Sequence, residues 1–142
     1  MTSINAPSDE FGPAHLNELP DVGYTTFFPR KNATPRSGRA LRCTREYLGL
    51  SSRDFGLFMT KGHRTVQQWE TKAAIPAEAE AALLRLIEIT DIWEAELLEA
   101  EHVGIYRSGY RVVDRHVLPE SWWRALVGRV LTKRPILPVE LQ

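Results

Sequence analysis

REYLGLSSRDFGLFMTKGHRTVQQWETKAAIP, residues 45–76, is the stretch that decides the fold. Leu50, Phe55, Phe58 and Met59, then Val66 and Trp69, recur at helical spacing, and the pattern is interrupted only at 60–62. Such spacing gives one apolar face on each of two short helices joined by a tight turn. Ser51 or Ser52 can cap the first helix, with Arg53 and Asp54 in its first turn. Gly56 sits where the second helix crosses the first. A glycine in a helix interior costs about 1 kcal/mol, so a packing reason is expected, namely close approach of two backbones. The second helix, roughly residues 63–71, turns Val66 and Trp69 inward and His63, Arg64, Gln67 and Gln68 outward. Imidazole, guanidinium and carboxamide groups are the chemistry that reads base edges.

SSRDFGLFM at 51–59, VQQWE at 66–70 and Pro76 together resemble the helix-turn-helix of the Cro and lambda-repressor-like family, over roughly residues 38–86. The resemblance implies that the second helix enters the major groove, with His63, Arg64 and Gln68 at base-reading positions. Arg64 can then pair bidentately with guanine and Gln68 with adenine, each discriminating by roughly 1–3 kcal/mol. It also implies an ion pair between Arg45 and Glu70. Phosphate contacts that set register are expected from Ser52, Arg53, Lys61, Thr65, Thr71 and Lys72. The chain departs from the family pattern at Gly56, where alanine is usual, at Thr60, where the turn often has glycine, and at Lys72, which replaces a common glycine.

Formal net charge is zero, yet the charge is segregated. Residues 1–29 hold four acids and no Lys or Arg, 30–76 hold ten bases and three acids, 77–103 one base and eight acids, and 104–142 seven bases and three acids. The basic block coincides with the two-helix stretch, which is the electrostatic footprint of a phosphate partner. With 142 residues the chain holds one domain, or a small helical domain plus an accessory unit, and the latter is expected. The lone Cys43 forms no internal disulfide, and no apolar run is long enough for a membrane span or a signal peptide's core, so a cytoplasmic protein is expected.

Residues 1–37 carry six Pro or Gly before Pro35 and no sustained apolar period, the pattern of an extended arm. VGYTTFF at 22–28 can pair as a strand or pack on the body, and Arg30, Lys31, Arg36 and Arg39 are candidate arm contacts to DNA; a leader with incidental charge is the equal alternative. From about Ser37 a first helix presents Leu41, Tyr47 and Leu48 and stops at Gly49. After Pro76 a long helix begins, with Ala79, Leu83, Leu86, Trp93 and Leu97 on an a/d-like spacing and no break before 102–104. About 25 residues would span about 38 Å, more than the helical domain needs, so the far half calls for another partner. GIYRSGYRVVDRHV at 104–117 is rich in β-formers, SWWRALVGRVL at 121–131 reads as a helix, and PILPVEL closes as an edge strand.

The long helix, the Y-R strand and the LP-x-SWWRA helix resemble the YdiL-like regulators, which include anti-CRISPR-associated autorepressors. That resemblance implies a C-terminal dimerisation unit and binding to an inverted repeat. The adjacent Trp122 and Trp123 differ by about 100° around a helix, so one is expected in the core and the other at a dimer interface with Trp93 and Leu97, the alternative being one wide core.

His15, His63, His102, His116 and Cys43 show no metal-ligand spacing, and no phosphate loop, dinucleotide fingerprint or nucleophile elbow is present. Glu94, Glu96, Glu99 and Glu101 read as a solvated acidic face. No catalytic residue, metal or cofactor is expected. The fold expected is mainly α: an extended arm at 1–37, a lambda-repressor-like helix-turn-helix domain with a long fourth helix at 38–103, and a small α+β dimerisation unit at 104–142. The function expected is a homodimeric transcriptional regulator, an autorepressor on a palindromic operator. Rival readings are an antitoxin-like protein-interaction module with secondary DNA binding, and RNA binding by the same basic face.

Overall fold

The computed structural model describes residues 3–4, 27 and 34–141, which form five helices and five short strands. In chain order they are β1 (Ser3–Ile4), α1 (Gly38–Tyr47), α2 (Ser52–Met59), α3 (His63–Trp69), α4 (Ala77–Leu98), β2 (His102–Ile105), β3 (Tyr110–Val113), β4 (His116–Pro119), α5 (Glu120–Lys133) and β5 (Val139–Leu141). The architecture is mixed α and β, with the helices dominant. Two compact units divide it, residues 23–89 and residues 1–22 with 90–142. The division falls inside α4, between Ile89 and Thr90, and not at the 103/104 boundary expected from the change of period. A helix is a poor domain marker here because α4 stays regular while the partners of its side chains change.

In the unit of residues 23–89, the side-chain oxygen of Ser51 accepts from the Asp54 amide and the Asp54 carboxylate accepts from the Ser51 amide, a capping box that fixes where α2 begins. Phe55, Phe58 and Met59 from α2, Val66 and Trp69 from α3, Leu41 from α1 and Leu48, which caps its end, are all buried. Phe58 stacks on Phe55 at 6.3 Å and on Phe27 at 5.5 Å, so one residue of the VGYTTFF segment packs on this unit. The rest of that segment lies outside the described residues. Tyr47, expected on the buried face of α1, is exposed. A Cβ on Gly56 would lie 2.5 Å from the Lys61 carbonyl oxygen, closer than real side chains come. The expected packing reason is therefore present, although the close neighbour is the turn and not α3. Thr60 ends α2 in the left-handed region at φ 60°, ψ 39°, and the Lys61 amide donates to the Gly56 carbonyl at 2.7 Å.

In the other unit, β2 lies between β1 and β5, parallel to both, and β3 and β4 form an antiparallel hairpin. Ser3–Ile4 is thus extended, as the reading of 1–37 has it, but paired into a sheet with β2 rather than part of a separate arm. The hairpin turns at Asp114 and Arg115, both at positive φ, the geometry of a two-residue turn whose twist matches the strands. Arg134 donates to the carbonyls of Leu97, Leu98 and Ala100 and so satisfies the exposed end of α4.

The tryptophans require a second correction. Trp122 is 1% exposed and Trp123 0%. The Trp122 indole donates to Thr90 Oγ1 at 3.0 Å, and the Trp123 indole donates to the Gly104 carbonyl at 2.9 Å. They do point in different directions, but α5 has core on both sides. Trp93 meets Trp123 edge-on at 5.9 Å and is half-buried, and Leu97 is fully buried. Trp122, Trp123 and Leu97 are filled by the chain itself and have no surface to give a partner. Among the described residues of this unit, the exposed large apolar ones are Ile92, Ile136, Val139 and Leu141. Glu94, expected in a solvated face, is buried and paired with Arg129 and Lys133 of α5.

Candidate functional site

Gly62 caps α3 in an extended conformation, and the helix that follows has no acidic residue in its first turn. Val66, fully buried, and Trp69, 8% exposed, hold one side of α3 in the core. Residues at i, i+1, i+4 and i+5 fall within one sector of a helix, so the opposite side presents His63, Arg64, Gln67 and Gln68 together. All four are exposed. The face therefore offers forked guanidinium donors beside amide donors and acceptors, groups able to make paired hydrogen bonds to a planar polar edge.

Around it, Arg53 and Lys72 are exposed, and Ser52, Lys61 and Thr65 are half-exposed. Among the described residues Arg39, Arg53, Lys61, Arg64 and Lys72 make no ion pair, so their charge is available to a ligand. One member of the expected phosphate set, Thr71, and one of the candidate arm contacts, Arg36, are committed elsewhere. Thr71 donates its hydroxyl proton to the Gln68 carbonyl at 2.7 Å, closing the end of α3. A phosphate oxygen needs a donor, and this one is in use. Arg36 pairs with the buried Glu80 at 2.9 Å and donates to Thr44 Oγ1 at 3.3 Å, which makes it a structural tie and not an arm contact. Arg39 is exposed on the first turn of α1. Arg30 and Lys31 lie outside the described residues.

Behind the face, Arg45 and Glu70 are joined by Nε to Oε2 at 2.7 Å and Nη2 to Oε1 at 3.0 Å, and Arg45 Nη1 also donates to the Leu50 carbonyl at 2.9 Å. Both side chains are largely shielded from water. Guanidinium and carboxylate in this forked arrangement are geometrically specific, so α1 fixes the end of α3. On the surface of α1, Arg42 Nε meets Glu46 at 2.9 Å, and the hydrogen bond from Arg42 holds the Glu46 carboxyl below its ordinary value.

Away from this face, the described residues carry two buried carboxylates with opposite shifts. Burial alone would raise the Glu94 pKa, but the hydrogen bonds from Lys133 and Arg129 outweigh it and hold the carboxyl low. Glu120 is raised by burial, which Arg124 at 3.3 Å only partly offsets. Arg111 lies 4.0 Å from the Tyr106 ring centre; burial lowers the guanidinium and raises the phenol. Sequence reasoning assigned none of these. The Glu94 network had a signal, bases at i and i+4 on a helix that also carries a core stripe, whereas nothing local marked Glu80 as the partner of Arg36.

No grouping of three His, Cys, Asp or Glu suited to a metal ion occurs among the described residues, and none of the described helices is long and apolar enough to cross a membrane. No protein-family model matches the chain, and no curated protein matches its sequence.

Proposed function

We propose that the chain is a sequence-specific DNA-binding transcriptional regulator, a cytoplasmic homodimeric repressor of an inverted-repeat operator that includes its own promoter. On this reading α2 and α3 are a helix-turn-helix of the lambda-repressor-like kind and α3 is the recognition helix. The observation that carries it is the exposed quartet His63, Arg64, Gln67 and Gln68 on a helix anchored by Val66 and Trp69. Unpaired Arg53, Lys61 and Lys72 beside that quartet supply the sequence-independent attraction of phosphates. Twofold symmetry follows from an inverted repeat: two copies present two α3 helices to successive major grooves, about 34–36 Å apart.

Base reading and phosphate positioning are separable by mutation. Arg64→Ala costs roughly 1–3 kcal/mol on the selected duplex and relaxes one base position, whereas Lys61→Ala weakens all duplexes alike and flattens the salt dependence. Binding isotherms of both variants on a selected and a scrambled duplex, at several salt concentrations, test this. Unchanged discrimination by Arg64→Ala removes α3 from the reading. Structured RNA that competes as well as the selected duplex replaces DNA by RNA as the ligand.

A further inference from the structure

A cleft of about 1090 Å³ opens beside the base-reading face; Ser52, Gln67, Lys72 and Arg39, already named as candidate DNA contacts, line it together with Arg42 and Cys43, which have no such role assigned above. Gln67 of α3 and Lys72 lie on one side, and Arg39, Arg42 and Cys43 of α1 on the other. The Gly38 amide donates to the Lys72 carbonyl at 2.9 Å, and a Cβ on Gly38 would lie 2.3 Å from the Trp69 carbonyl oxygen. Only glycine lets α1 start so close to the end of α3, and that approach brings the two walls together. Arg39 and Arg42, one turn apart, share a face of α1. Arg45 at the base of the cleft is neutralised by Glu70 and Arg42 is partnered by the exposed Glu46, but Arg39 and Lys72 have no acid. The cleft therefore carries excess positive charge and is continuous with the recognition face through Gln67.

We infer that this cleft seats the sugar-phosphate strand flanking the base pairs read by α3, with Arg39 and Arg42 of α1 and Lys72 as its phosphate ligands. This rests on the DNA-binding reading. It joins Arg39 and Lys72 to Arg42 in one seat, extends the contact beyond the bases α3 can touch, and assigns Arg42 a partner to exchange for Glu46. An ion pair that exposed is weak, so a phosphate displaces the carboxylate at little cost. The occupant is a duplex strand and not a small anion, because the charged groups stand on two walls of an open cleft that leads to the base-reading amides.

Cys43 is the only cysteine, is exposed and lines the cleft, so it reports occupancy. The full-length protein is alkylated at Cys43 with and without a duplex selected from a random library, and binding of Arg39→Ala/Arg42→Ala is followed against salt, with Arg64→Ala alongside. The expected results are slower alkylation when duplex is bound and a salt slope reduced by about 2 in the double variant, since each lost phosphate contact removes about one. A slope that stays at the wild-type value, or an alkylation rate that bound duplex leaves unchanged, overturns the cleft assignment while sequence loss in Arg64→Ala keeps α3 as the reader. Protection of Cys43 by inorganic phosphate as complete as that by duplex also overturns it, in favour of a small-anion seat. If no duplex binds selectively at all, it is the DNA reading itself that fails.

Discussion

Arg45 and Glu70 meet through two parallel hydrogen bonds of 2.7 and 3.0 Å, and this pair joins α1 to the residue after α3. Removing Glu70 leaves the shielded Arg45 charge with only the Leu50 carbonyl and the Glu46 carboxylate at 3.8 Å, an incomplete replacement that costs up to roughly 3–5 kcal/mol. Glu70→Ala is expected to lower stability by that amount, and the Arg45→Ala/Glu70→Ala double variant by much less than the sum. Urea denaturation across the double-mutant cycle checks it.

Gly56 and Thr60 make opposite demands on the turn. Gly56→Ala forces a methyl group against the Lys61 carbonyl and is expected to destabilise by roughly 1–3 kcal/mol. Thr60→Gly relieves a β-branched residue at φ 60° and is expected to stabilise by about 1 kcal/mol. Thermal denaturation of the two variants should move the midpoint in opposite directions.

Trp122 is held by one acceptor, Thr90 Oγ1. Thr90→Val keeps the shape and leaves the indole N–H buried without that acceptor, at an expected cost of about 1–3 kcal/mol. Loss of stability with an unchanged oligomeric state would mark the contact as structural. A change in oligomeric state alone would restore the tryptophan to an interface.

Glu94 and Glu120 give opposite pH signatures. The carboxyl of Glu94 is lowered in the fold, so its contribution is present above the unfolded carboxylate pKa and is lost as pH falls through the lowered value. Glu94→Gln should therefore destabilise at neutral pH, and that difference should shrink in acid. The carboxyl of Glu120 is raised by burial, so its penalty is full above the raised value and vanishes below the unfolded one. Glu120→Gln should stabilise at neutral pH and be neutral in acid. Stability measured against pH for both variants tests the two signs.

Much of the 45–76 stretch was legible because its determinants are local. Capping at Ser51, the apolar period through Phe55, Phe58, Val66 and Trp69, and the outward quartet all follow from spacing. The Arg45 and Glu70 pair came only from resemblance, since 25 residues separate them. What escaped was non-local. Ser3–Ile4 pairs with residues near 102 through a parallel register that no short-range signal marks. The unit boundary lies inside an unbroken helix, where period and capping are silent. Trp122 and Trp123 were expected to part between core and interface because helical geometry separates them, but geometry gives direction and not what lies there. Charge alone makes Arg36 a candidate arm contact and a hydroxyl alone makes Thr71 a candidate phosphate contact, but each is held by a partner within the fold.

The most direct measurement is selection of bound duplexes from a random-sequence library by the full-length protein, followed by sequencing and repeated with Arg64→Ala. The result expected is an inverted repeat with half-sites about one helical turn apart, about 34–36 Å between centres, and loss of one base preference in each half-site for the variant. Enrichment of no duplex sequence by the wild-type protein, or the same motif selected undiminished by Arg64→Ala, would contradict the claim that the exposed face of α3 reads DNA.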